Sequence, residues 1–210
     1  MARPRSSSAL RVLLPVAAGA AYYFFLRPQM LKAGTQLGES QRRLPGDEMI
    51  MTPNFQSTRA INIDAPPEAV WPWIAQMGRE KTGFYGLDAL TNQSIPSVAY
   101  LRQDLPAPQV GMDMDGGYRI LEVDPEHLFL YGGFDLPTPM GSPMECTVLL
   151  RLERQRDGGT RLIRRQRGYT YGMLGPLYNA LYEVIDYFDS MIQLENIRQR
   201  AETMAYLQKG

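Results

Sequence analysis

The segment from Asp64 to Ile74, where two consecutive prolines separate an alternating run from a helically periodic one, constrains the fold more than any other part of the chain. Upstream, Arg59, Ile61 and Ile63 alternate with Ala60 and Asn62, which predicts a strand with one apolar face. Pro66 and Pro67 end that strand, because proline donates no hydrogen bond to a ladder. Pro67 followed by Glu68 also suits the first turn of a helix. Val70, Trp73, Ile74 and Met77 then recur at three- and four-residue spacing, the mark of one buried helical face. Pro72 deletes a backbone hydrogen bond inside that helix, so the helix is expected to be short or bent.

Downstream, Gly116 to Val123, Leu128 to Phe134, Cys146 to Glu153 and Thr160 to Arg167 read as strands, with Asp157-Gly158-Gly159 as the hairpin turn between the last two. Thr91 to Gly111 is rich in proline and polar residues and supports only a short strand around Val98 to Leu101. From Gly175-Pro176 onward, Tyr178, Leu181, Tyr182, Ile185, Phe188 and Ile192 share one face while Glu183, Asp186 and Arg198 lie elsewhere. This predicts an amphipathic helix of roughly 30 residues packing that apolar face inward. A helix of about 45 Å suits a domain of this size only if it lies across a curved sheet.

The stretch Asp64 to Ile74, followed by Gly83-Phe84-Tyr85-Gly86-Leu87-Asp88, resembles the first strand and helix of the SRPBCC superfamily. That superfamily groups START lipid-transfer domains, polyketide cyclase/dehydrase-like proteins and the birch pollen allergen type. The resemblance covers about residues 47 to 208. It implies an α+β helix-grip (START-like) fold, a curved antiparallel sheet wrapped around a long C-terminal helix, with an internal cavity. Leu44-Pro45-Gly46-Asp47-Glu48 is similar to the approach to the domain in membrane-tethered members. The expected organisation is an N-terminal membrane anchor over 1–27, a tether over 28–46 and the domain over 47–210.

The anchor rests on its own residues. From Ala9 to Leu26 the chain carries one charge, Arg11, and an 18-residue helix spans roughly 27 Å, just enough to cross a bilayer. Tyr22, Tyr23 and Arg27 suit an interfacial end. A cleaved signal peptide is the alternative, with Arg3 and Arg5 as its charged region and Ala18-Gly19-Ala20 as its cut site. The expected location is therefore a membrane, with the side of the domain open.

Composition excludes several classes. Lysine plus arginine equals aspartate plus glutamate at 22 each, so no basic excess recommends nucleic acid as a partner. One cysteine, Cys146, and one histidine, His127, leave no intramolecular disulfide, no two-histidine metal site and no Ser-His-Asp or Cys-His arrangement. Cys146 reads as a core thiol and His127 as an exposed turn residue. No cofactor is called for. The pairs Gly116-Gly117 and Gly132-Gly133 lack the context of phosphate loops and mark bulges or turns.

A cavity in such a fold would be walled by apolar and tyrosine side chains, the usual architecture for a small hydrophobic guest. The expected ligand-binding residues are Trp73, Tyr85, Asp88, Tyr118, Arg165, Arg167, Tyr178, Tyr182 and Ile185. Alternation places Arg161, Ile163, Arg165 and Arg167 on one face of their strand. Arg165 or Arg167 would either hold an acidic headgroup or pair with an acid of the protein such as Asp88, the pairing being favoured because an unpaired buried arginine is costly. The expected function is binding or transfer of a lipid or other hydrophobic molecule. The alternatives are a cyclase- or dehydrase-like enzyme and a membrane-bound interaction module without a ligand.

Overall fold

The computed structural model describes residues 14, 17–79, 81–114 and 116–208. Five antiparallel strands, β1 (Phe55–Ile63), β2 (Arg119–Asp124), β3 (Leu128–Pro137), β4 (Pro143–Arg154) and β5 (Thr160–Thr170), form one sheet in the order β1-β5-β4-β3-β2. The chain enters as a helix that is π-helical over Tyr22–Leu26 and α-helical over Arg27–Leu31 (α1). Two short helices, α2 (Pro67–Ala75) and α3 (Asp88–Thr91), follow β1, and α4 (Gly175–Leu207) closes the fold. Pro66 is extended at the start of α2, and the helix runs only 9 residues with Pro72 inside it, as its prolines predict. No strand forms around Val98 to Leu101.

The inner face of the sheet is organised in rows across the strands. One row runs Arg59, Arg164, Leu150 and Phe129; the next runs Gln166, Val148, Tyr131 and Ile120. Beneath the apolar ends of these rows, Val70 and Ile74 of α2 and Met77 just after it pack with Leu194, Ile197 and Ala201 of α4, all fully buried. Each large side chain so buried contributes about 1.5–3 kcal/mol relative to exposure.

The first half of α4 reverses the expected orientation. Leu181, Ile185, Phe188 and Ile192 face outward, while Glu183 and Asp186 are buried. The reason is the row on which they lie. Arg59 and Arg164 sit directly opposite each other on β1 and β5, and two like charges so placed repel unless an anion is brought between them. Asp186 accepts from Arg59 Nη1 at 2.5 Å and from Arg164 Nη1 at 3.2 Å, and Ser57 and Ser190 complete the cluster around Arg59. Glu183 accepts from Arg27 Nε at 2.5 Å and Nη2 at 2.6 Å, which pins α1 against α4. Periodicity recognised the two faces of the helix but gave the inner one to the wrong side chains.

The stretch 28–46, expected as a tether, lies against the outer face of the sheet. Ala60 N donates to Ala33 O at 3.1 Å. Leu44 joins Ala60, Leu130, Leu149 and Ile163 in a second buried cluster. Gly34 occurs at φ +72°, and a Cβ there would stand 2.0 Å from Ala60 O, so only glycine allows the chain to approach β1 this closely. The expected anchor residues Ala9 to Val16, Leu14 apart, and the charges Arg3, Arg5 and Arg11 lie outside the described residues. Among the described residues no helix is long and apolar enough to cross a membrane.

Candidate functional site

Between the inner face of the sheet and the first half of α4 lies a cavity of about 250 Å³. Its floor is the row Tyr131, Val148 and Gln166, extended by Arg164; one wall is Tyr182, Ile185, Asp186, Asp189 and Gln193 of α4. Phe84, Leu90 and Thr91 close the opposite side. Ile185 and Leu90 are also exposed, at 46% and 59%, so the mouth lies between α4 and α3. A small apolar space with a few convergent polar groups is the general form of a small-ligand site.

Alternation on β5 decides which arginine enters. Leu162, Arg164 and Gln166 point inward, so Arg161, Arg165 and Arg167 point outward, onto the covering stretch. This corrects the expectation for Arg165 and Arg167. Arg165 donates to Asp47 at 2.7 Å and to the carbonyls of Arg42 and Ser40 at 2.8 and 2.9 Å. Arg167 donates to Gln56 at 2.6 Å and to Ile50 O at 2.8 Å. The pairing with an acid of the protein holds for both, at 2.7 Å for Arg165 and 3.5 Å for Arg167, and the acid is Asp47 rather than Asp88.

Of the other expected residues, Tyr118, Tyr182 and Ile185 line the cavity. Tyr178 stacks on Tyr182, with ring centroids 5.5 Å apart, and does not itself line it. Tyr85 is fully buried at φ 62°, its hydroxyl accepting from Gln76 at 2.7 Å. Trp73 packs against Tyr85 and faces a separate shallow cleft with Tyr100 and Arg200. Asp88 accepts from the amide and hydroxyl of Ser97 at 2.7 and 2.5 Å and so shapes the loop after α3. The apolar and aromatic content of these positions was readable; their burial in the core or in a turn depends on tertiary packing.

Sequence reasoning passed over Tyr131, Arg164, Gln166, Asp189 and Gln193. The signal for Arg164 was present in the two-residue parity with Leu162, and that for Asp189 in its spacing of three from Asp186. Arg164 is held by Gln193 at 2.9 Å, Gln166 at 2.9 Å and Asp186, which leaves further guanidinium protons for a guest. Burial opposes its charge, but Asp186, Tyr131 and Asp189 outweigh burial and its pKa is raised. Tyr131 lines the cavity, and burial raises the pKa of its hydroxyl, so it stays a phenol with a proton to donate. Burial pushes the Cys146 thiol up to about 11, beside Tyr118 and Gln166, so it remains an unreactive thiol. His127 is exposed in a turn, against Pro125 O at 2.9 Å. Among the described residues no group of three or more histidine, cysteine, aspartate or glutamate side chains could hold a metal ion.

Asp189 accepts from Leu87 N at 2.6 Å. Burial raises its pKa, an effect that Arg164 and the Leu87 amide offset only in part. A carboxyl whose folded pKa lies above its unfolded value binds more protons in the native state. It therefore favours folding below the unfolded pKa, and that contribution is lost as pH rises through the folded pKa. Asp189→Asn, which keeps an acceptor for Leu87, is expected to be more stable than the parent at pH 7 and to lose this downward slope. Urea denaturation of both proteins between pH 3 and 8 checks this, and parallel curves would refute it.

A five-stranded antiparallel sheet, a long terminal helix across its inner face and a cavity between them complete the pattern. The chain has a helix-grip fold. No family model matches the sequence, and no curated protein matches it. Among solved structures, a structural-genomics protein from Mesorhizobium loti is 16% identical with a TM-score of 0.43, over 71% of this chain and 98% of its own. The Zhui aromatase/cyclase from a Streptomyces species is 13% identical with a TM-score of 0.44, over 70% of this chain and 93% of its own. The di-domain ARO/CYC BexL is 20% identical with a TM-score of 0.47, over 74% of this chain and 53% of its own. The helix-grip assignment rests on strand order and helix placement, and function has to be argued from the cavity.

Proposed function

We propose that this helix-grip domain binds a small, largely apolar molecule carrying one anionic or carbonyl oxygen, and that its N-terminal segment tethers it to a membrane. The observation that carries the binding reading is the Tyr131 phenol in the same cavity as the charged Arg164. A phenol donor and a guanidinium beside apolar side chains are the few placed polar groups that orient a guest in a small-ligand site. Phe84, Val148, Leu90 and Ile185 supply the apolar surround. The mouth supports exchange with a membrane, since Ile185 lies within one turn of Glu183, where Arg27 ends the N-terminal apolar run.

The test compares an anionic and a neutral dye of similar size, anilinonaphthalene sulfonate and phenylnaphthylamine, binding to the full chain. Tyr131→Phe is expected to weaken the anionic dye about tenfold, the value of a hydrogen bond to a charged group, and the neutral dye less than twofold. Thermal stability should change little, because the substitution removes one hydroxyl and keeps the ring that packs against Phe84 and Phe129. Equal effects on both dyes would reject the headgroup role.

A second reading, a cyclase- or dehydratase-like enzyme, draws support from Asp189. Its raised pKa and place in the cavity suit a general acid or base, with Tyr131 and Arg164 orienting a carbonyl. Identification by mass spectrometry of what copurifies separates the two, since a carrier retains its guest unchanged and an enzyme converts it.

A further inference from the structure

Between Tyr171 and Gln193 the chain has three charged residues, Glu183, Asp186 and Asp189. The first two are buried and the third turns inward to Leu87 N. The outward face of α4 over this length is consequently without charge. It carries Leu174, Leu177, Leu181, Ile185, Phe188 and Ile192, each between 36% and 54% exposed. Over 175–192 the helix is about 27 Å long, so this is a continuous strip, unlike the scattered apolar residues of an ordinary surface. A surface helix normally shows water its polar face. This one hides its acids and shows its hydrocarbon.

A second exposed apolar element lies beside it. The Arg27–Glu183 pair pins the end of the N-terminal helix to α4, and the turn before Arg27 exposes Phe24 and Phe25 at 69% each and Leu26 at 56%. Those residues end a run from Ala9 whose only charge is Arg11. The strip is thus continuous with the segment that the tethering proposal assigns to a membrane. Ile185 belongs both to the strip and to the cavity mouth, and Leu181 and Phe188, four residues before and three after it, flank that mouth on the same helical face.

We propose that the first half of α4, with Phe24, Phe25 and Leu26, rests on a lipid bilayer, so that the cavity opens onto lipid and loads its guest from there. The inference rests on the cavity reading for the guest and adds the surface from which it comes. A second copy of the chain, the other occupant such a strip would accept, would cover the mouth that the guest must use.

The test uses the full chain in phosphatidylcholine vesicles, with an environment-sensitive nitrobenzoxadiazole label on Leu181→Cys or Phe188→Cys. The same label on Arg156→Cys, in the β4–β5 hairpin, serves as control; Cys146 is buried and resists labelling. Labels at 181 and 188 should shift to the blue and be quenched by nitroxide lipids, while the label at 156 stays open to aqueous iodide. Open, iodide-quenched labels at 181 and 188 would overturn the docking proposal. Shielding that fades as protein is diluted in lipid would overturn it in favour of contact between copies. In a second arm, Leu181→Glu with Phe188→Glu should slow transfer of anilinonaphthalene sulfonate from vesicles into the cavity about tenfold and leave its equilibrium affinity within twofold. Unchanged transfer would refute loading from lipid. Failure of the cavity reading itself would show separately, as equal response of the two dyes to Tyr131→Phe.

Discussion

Asp186→Ala is expected to lower the free energy of unfolding by about 3–5 kcal/mol, the cost of leaving a buried charge without its partner. The effect should reach the top of that range because Asp186 serves two guanidinium groups at once, at 2.5 and 3.2 Å, and both are almost fully buried. Removing it leaves Arg59 and Arg164 facing each other across adjacent strands with no intervening anion. Ser57 and Ser190 would still solvate Arg59, but a hydroxyl dipole does not offset a whole charge. Urea denaturation followed by circular dichroism measures the loss. Adding Arg164→Met should recover part of it, since one of the two stranded cations is then replaced by a side chain of similar length. No recovery in the double variant would mean that the carboxylate acts mainly through Arg59.

Val148→Trp is expected to abolish binding of anilinonaphthalene sulfonate, with an affinity loss of about a hundredfold or more, because the indole would occupy much of a space of about 250 Å³. Val148 lies at the centre of the floor, between Tyr131 on β3 and Gln166 on β5, and is 3% exposed. An enlarged side chain there has nowhere to go but into the void, so the stability cost should stay within the 1–3 kcal/mol usual for overpacking. Fluorescence titration reads the affinity and a thermal melt reads the fold. Binding at parental affinity in a folded Val148→Trp protein would place the dye elsewhere and remove the cavity from the functional argument.

These two positions also show what a sequence can and cannot reveal about such a fold. β3, β4, β5 and α4 were legible, because alternation, helical spacing and the Asp157-Gly158-Gly159 turn are local signals that tertiary packing reinforced. The floor of the cavity was not. Whether Arg164 or Arg165 faces inward depends on a register of one residue, and a charged strand offers no hydrophobic contrast to set that register. For α4 the contrast existed and pointed the other way, since burying aliphatic residues is the default and burying acids requires cations supplied by Arg27 and Arg59 from distant parts of the chain. Tyr118, Tyr182 and Ile185, expected at a ligand site from composition and position, line the cavity. Trp73 and Tyr85 were equally aromatic but became core, a distinction that only the packing of α2 against α4 makes.

The layer formed by residues 33–47 changes where this molecule can be cut. A truncation beginning at Glu48 would strip Leu44 from Leu130, Leu149 and Ile163 and take away the partners of Arg161 and Arg165, Glu39 and Asp47 among them. One beginning after Arg27 would also strand Glu183. The smallest autonomous piece therefore reaches back to the end of the greasy N-terminal run, so liberating the domain from its proposed anchor and keeping it intact are competing aims.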